Sequence, residues 1–103
     1  MALSFAWHTP NPGVVVLVCS GGVDPVAAVS LRRELRDLCE GDADRVIVDL
    51  SRVGRLDAAG VAAIAGAAAA LRRRGADLGI VPPSLSGAVR ILQYSGLMPM
   101  FPA

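Results

Sequence analysis

Three apolar runs, Val14–Cys19, Arg45–Leu50 and Ala76–Val81, alternate with two segments of helical period, and this alternation limits the chain to few folds. The first run is almost wholly β-branched, as in a strand buried on both faces. Strands that alternate with amphipathic helices favour parallel pairing in an α/β sheet, because a parallel connection needs a crossover long enough to hold a helix. Ahead of them, Leu3–His8 alternates loosely and predicts a short strand. The cluster Thr9–Gly13 predicts a turn, so an antiparallel hairpin should form the N-terminal end of the sheet. Ser20-Gly21-Gly22 is expected to end the second strand, and Ser51–Arg55 to connect the third strand to the helix after it.

The helices have readable ends. Asp24 is a capping candidate, with Pro25 in the first turn that follows. Val26, Val29, Leu31, Leu35, Leu38 and Cys39 then form one face, the charged residues largely hold the other, and Gly41 stops the helix. Asp57 is the capping candidate for a helix from about Ala58 to Arg74. That helix ends at Gly75 with Arg72, Arg73 and Arg74 near the negative end of its dipole. Its core stripe is Val61, Ile64, Ala68 and Leu71. Its other faces hold Ala62, Ala63, Ala65, Gly66, Ala69 and Ala70, with no charge before Arg72. After Pro82 and Pro83, a last helix should start at Ser84 or Ser86 and run to Gly96, followed by the apolar, turn-like tail. The predicted order is β, β, α, β, α, β, α.

Composition narrows the function. With 103 residues, 53% hydrophobic and 18% charged, the chain reads as a single domain, 1–103, with a core of ordinary size. A formal net charge of +1 supplies no field for nucleic acid or an anionic membrane. No run is long enough to span a bilayer, so no direct membrane insertion is expected. Pro10 and Pro12 interrupt an N-terminus that lacks early basic residues, which reads as mature structure. Cys19 and Cys39 form no metal-type spacing with His8, the one histidine, and read as reduced thiols of a cytoplasmic protein.

Chemistry is sparse. His8 lacks the convergent partners of a triad. Ser20–Gly22 matches neither phosphate-loop pattern. Asp24, Asp49 and Asp57 lie near strand ends, as a Mg²⁺ cluster would require, but capping explains Asp24 and Asp57 without a metal. Arg72–Arg74 reads as a solvated helix end, with no interleaved aromatics for base stacking. No catalytic residue, metal or cofactor is indicated. What remains is a surface: a helix face without charge permits close approach of another chain, although alanine is also simply the best helix former.

Four segments stand out in order: Gly22-Val23-Asp24; Val48–Asp57, a strand ending in Asp-Leu-Ser and leading to an Asp; Arg74-Gly75-Ala76 with Val81–Ser84; and Ser95-Gly96-Leu97 before Phe101. Together they resemble one family, the STAS domain. The resemblance covers about Val14 to Phe101. It implies an antagonist-like α/β fold, a mixed and mainly parallel sheet with helices packed on one side. In the anti-sigma-factor antagonists of this family, the residue after that Asp is a serine, phosphorylated by a kinase anti-sigma factor. The free form binds that factor and the phosphorylated form does not. Here the matching residue is Ala58, followed by Ala59, so that position cannot be phosphorylated. A naturally locked antagonist, a domain with another trigger, and a sequence altered at the site are all compatible with this.

By resemblance, the expected function is partner docking through Asp24, Asp57, Ala58, Ala59, Gly60, Ala62 and Ala63. The expected partner is an anti-sigma factor of the histidine-kinase-like ATPase type, and the chain would regulate transcription by partner switching. By the same resemblance, the single domain is expected to lack the family's usual C-terminal helical extension. Short relatives without it include the small STAS subunit of lipid-trafficking ABC transporters, which would make an ABC-transporter ATPase the alternative partner. A ligand- or nucleotide-sensing domain is a further alternative. It requires a polar pocket, for which Arg52 and Arg55 are the nearby donors.

Overall fold

A computed structural model describes residues 2–83. They form β1 (Ser4–Asn11), β2 (Val14–Val23), α1 (Pro25–Glu40), β3 (Arg45–Leu56), α2 (Ala58–Arg73) and β4 (Asp77–Val81). The expected last helix from Ser84 or Ser86 to Gly96, and the tail beyond it, lie outside the described residues.

The sheet has four strands in the order β1-β2-β3-β4. β1 and β2 pair antiparallel, with Phe5 opposite Cys19 and Trp7 opposite Leu17. β2, β3 and β4 pair parallel, with Leu17 beside Val48 and Val48 beside Ile80. Both parallel crossovers step the same way across the sheet. Crossovers of one hand therefore lay α1 and α2 on the same face, where the two helices pack against each other. Leu17, Cys19, Val46, Val48, Leu50, Leu78 and Ile80 point to that face and are buried with Leu31, Leu35, Ile64 and Leu71. The expected mixed, mainly parallel sheet with helices on one side is the fold observed.

Three boundaries differ from expectation. β1 continues through Thr9-Pro10-Asn11, and only Pro12-Gly13 turns. Gly13 supplies the positive φ (81°) that a turn with Pro ahead of it demands, and Pro10 is tolerated because β1 is an edge strand. β2 does not break at Ser20-Gly21-Gly22 but runs to Val23. β3 likewise absorbs the expected Ser51–Arg55 connection and runs to Leu56.

One cause underlies the last two differences. Between Val18/Ser20 and Gly21/Gly22 the register shifts, and at each shift β3 advances one residue more than β2. Each extra residue is a bulge that moves the next inward position along β3. Leu50, Val53 and Leu56 are consequently buried at intervals of three, a spacing that does not read as a strand. Gly21 (φ 112°) also has the backbone of Ala2 where a Cβ would be, so a residue that looks like a breaker is a site of close approach.

Candidate functional site

At the upper ends of β2 and β3 the chain enters both helices through a capped turn. Asp24 accepts a hydrogen bond from the Ala27 N–H at 2.7 Å, and Asp57 accepts one from the Gly60 N–H at 3.1 Å. Each satisfies a donor of the first turn that has no partner within its helix. The Asp57 N–H donates to the Val23 carbonyl at 3.1 Å, which ties the loop before α2 to the end of β2. Asp49 caps no helix and instead accepts from the N–H and the hydroxyl of Ser51, at 2.9 and 2.6 Å. Among the described residues, Asp24, Asp49 and Asp57 do not converge on a metal position.

The expected docking residues divide by exposure. Ala58 and Ala62 are exposed, on the outer face of the first turns of α2, and Ala59 is half-buried. Gly60 is buried: a Cβ there would sit 2.6 Å from Val23 Cγ1 and 3.0 Å from Leu56 Cδ1. Its smallness serves contact inside the domain, with the strands beneath. Ala63, placed by sequence on an outer face, is only 6% exposed. It lines the crease between α1 and α2 with Leu35, Cys39 and Ala67. The α1 contact explains this, because a helix packed on both a sheet and a second helix buries more than one stripe. The core stripe Val61, Ile64, Ala68 and Leu71 is buried as its spacing predicts.

Helix α2 ends in a Schellman turn. Ala76 N–H donates to the Leu71 carbonyl and Gly75 N–H to that of Arg72, with Gly75 at φ 80°. Arg74 does more than meet solvent: its Nε donates to the Cys39 carbonyl at 3.0 Å and joins the ends of α1 and α2. Both cysteines are free. Burial pushes the Cys19 thiol up to about 12, with the charges of Asp49 and Glu34 adding to the effect. Burial also raises Cys39, opposed by Arg74 and Arg73, and its thiol donates to the Ala67 carbonyl at 3.6 Å.

A feature that sequence reasoning did not locate lies beside the loop that leads into α2. Gly21, Gly22, Asp24, Arg52, Gly54 and Arg55 line an open cleft of about 370 Å³. Arg52 and Arg55 are recognisable in the sequence as nearby donors. The glycines become its floor only because β2 and β3 continue past the expected breaks.

Comparison with known proteins gives a consistent fold. A family model described as "Mlab, STAS domain" matches residues 8–100. Among solved structures, an anti-sigma factor antagonist from Mycobacterium paratuberculosis is similar with a TM-score of 0.80 and 22% identity, over 98% of this chain and 84% of that one. The Bacillus anti-sigma factor antagonist SpoIIAA, unphosphorylated, gives a TM-score of 0.79 and 22% identity over 94% and 84%. Its phosphorylated form gives 0.76 and 22% over 94% and 87%. No curated protein gives a significant sequence match.

Proposed function

This chain belongs to the STAS domain family, and from that premise we propose that it is a non-enzymatic, cytoplasmic regulator that docks to a protein partner. The partner is an anti-sigma factor of the histidine-kinase-like ATPase type, and the output is release of a sigma factor. The observation that carries this reading is the head of α2. A capped helix start presents Ala58 and Ala62 outward, with no charged residue in α2 before Arg72, and by resemblance Ala58 matches the serine of the family's antagonists. In the antagonists, phosphate at this serine ends binding. An added charge of nearly two units on a partner-facing helix start changes docking sharply. Ala58 accepts no phosphate, so the docking-competent state is permanent with respect to that switch. Asp24 and Asp57 shape the two loops, Ala58, Ala59 and Ala62 meet the partner, and Gly60 and Ala63 support the surface from within.

A second reading is supported by the description of the matching family model, "Mlab, STAS domain". In it the same surface clamps the ATPase of a lipid-trafficking ABC transporter, the subfamily that Asp49–Gly60 also resembles. The two readings share fold and surface and differ in partner. Pull-down of purified kinase-type anti-sigma factors and of ABC-transporter ATPases from the same cells decides between them. The first reading expects retention of an anti-sigma factor. Retention of the ABC ATPase alone would replace it with the second.

A further inference from the structure

β1 pairs with β2 on one side only, and among the described residues its outer backbone groups meet no other strand. Proteins usually blunt such an edge with charge, proline, a bulge or shortness, because an open edge templates the addition of another strand. β1 is eight residues long, SFAWHTPN, and none of them is Asp, Glu, Lys or Arg. Its proline, Pro10, and its register irregularity, between His8 and Asn11, both fall at the C-terminal end. Ser4–His8 is therefore left as a regular, uncharged and open edge.

The same stretch carries the one tryptophan of the chain. Trp7 lies opposite Leu17 and Phe5 opposite Cys19, so both rings project to the face that bears the helices. Leu17 and Cys19 are fully buried there, and Phe5 is half-buried against the core. Trp7 is 64% exposed, although a ring of this kind covers roughly 150–250 Å² when enclosed. The exposed ring and the open backbone edge are separate observations, and both point to a strand added beside β1.

We propose that this strand is β1 of a second copy of the chain, paired antiparallel across a two-fold axis so that two sheets join edge to edge. Three features select that occupant. A two-fold axis at an edge presents a strand to its own copy in antiparallel orientation, with the same residues on both sides. An uncharged strand sets no like charges opposite each other when it meets itself, and offers a charged foreign segment nothing to pair with. The described residues end after β4, at the far edge of the sheet from β1. Centred on Ala6, the stretch Ser4–His8 pairs with itself and places Trp7 beside Phe5 of the partner subunit, leaving Pro10 and the irregularity outside. Aromatic cross-strand neighbours of this kind stabilise a sheet. Helix α2 packs toward β4, on the other side of the sheet. The dimer thus leaves Ala58 and Ala62 open and does not rest on the docking reading.

Sedimentation of the full chain over a concentration series, read together with tryptophan emission, tests this pairing. Trp7 is the one tryptophan, so emission reports on this edge alone. A dimer that dissociates on dilution is expected, with emission moving to longer wavelength as Trp7 returns to water. Ala6→Lys sets two like charges opposite each other at the axis, and should raise the dimer dissociation constant by about tenfold or more. Trp7→Ala should raise it several-fold. Both residues are exposed in the single chain, so melts at low concentration should show both variants folded. Ala62→Arg, on α2, should leave the dimer intact. A chain that stays monomeric up to millimolar concentration would overturn the proposal. So would a dimer that Ala6→Lys leaves unchanged, or one that Ala62→Arg dissolves.

Discussion

Asp57 and Gly60 show how little chemistry the proposed docking loop needs. Asp57 contributes one hydrogen bond to the Gly60 N–H, and its backbone holds the end of β2. Asp57→Ala removes the cap and should cost about 1 kcal/mol, within the roughly 0.5–2 kcal/mol seen for N-caps. Asp57→Asn should recover most of that loss in urea unfolding. Gly60→Ala sets two effects against each other. Alanine gains up to about 1 kcal/mol of helix propensity. The new methyl, however, would lie 2.6 Å from Val23 and 3.0 Å from Leu56, and overpacking of this kind costs about 1–3 kcal/mol. The clash should win, giving net destabilisation. A Gly60→Ala protein as stable as the parent would show that the helix stands off the sheet.

The two thiols differ in the same physical way. Cys19 is fully buried beneath the helices and Cys39 is half-buried at the end of α1. Alkylation of the native protein should modify Cys39 first and Cys19 only on unfolding, as peptide mapping would report. Cys19 rises from an ordinary value of 9.0 to about 12 in the folded state. The unfolded chain therefore releases this proton first as pH increases. Stability from Cys19 is complete below about 9 and falls as pH climbs from there toward about 12. In Cys19→Ala the fall over this window should flatten when urea midpoints are measured against pH.

Among the elements, α2 carries both the fold and the surface. Its inner residues Val61, Ile64, Ala68 and Leu71 are legible as a stripe because they follow helical spacing. The second buried side, with Ala63 and Ala67, is not legible, since alanine marks an interior helix contact and an outer face alike. Helix starts are readable from Asp24 and Asp57, and the α2 stop from Gly75 and the arginines before it. Strand ends are not, because the bulges in β3 replace alternation with a spacing of three and glycine disguises the continuation of β2. The candidate cleft is hidden for the same reason: it exists only where those two disguised strand ends lie side by side. At this scale the docking reading expects Ala62→Arg to reduce partner affinity by about tenfold or more without lowering the melting temperature. Ala62 is exposed and its side chain is not part of the core. Unchanged affinity in calorimetry would remove Ala62 from the proposed interface.

For the whole molecule, the arrangement separates support from the surface proposed for recognition. Parallel crossovers put both helices on one face, so the sheet holds them from below while the outer face of α2 stays available. The strand ends collect the capped turns, Ala58 and the arginine cleft at one end of the domain. The likeness to the Mycobacterium and Bacillus antagonists establishes this scaffold; the proposed docking depends on the residues it carries. The most direct measurement is isothermal titration of the full chain against a kinase-type anti-sigma factor, the partner proposed for it, with Ala58→Glu compared to the parent. Acidic residues suit the first turn of a helix, so the variant should remain as stable as the parent. Tight binding by the parent, insensitive to ATP-dependent phosphorylation at residue 58, with at least about a tenfold loss in Ala58→Glu, is the expected result. Equal affinity of the two proteins would contradict docking through the head of α2.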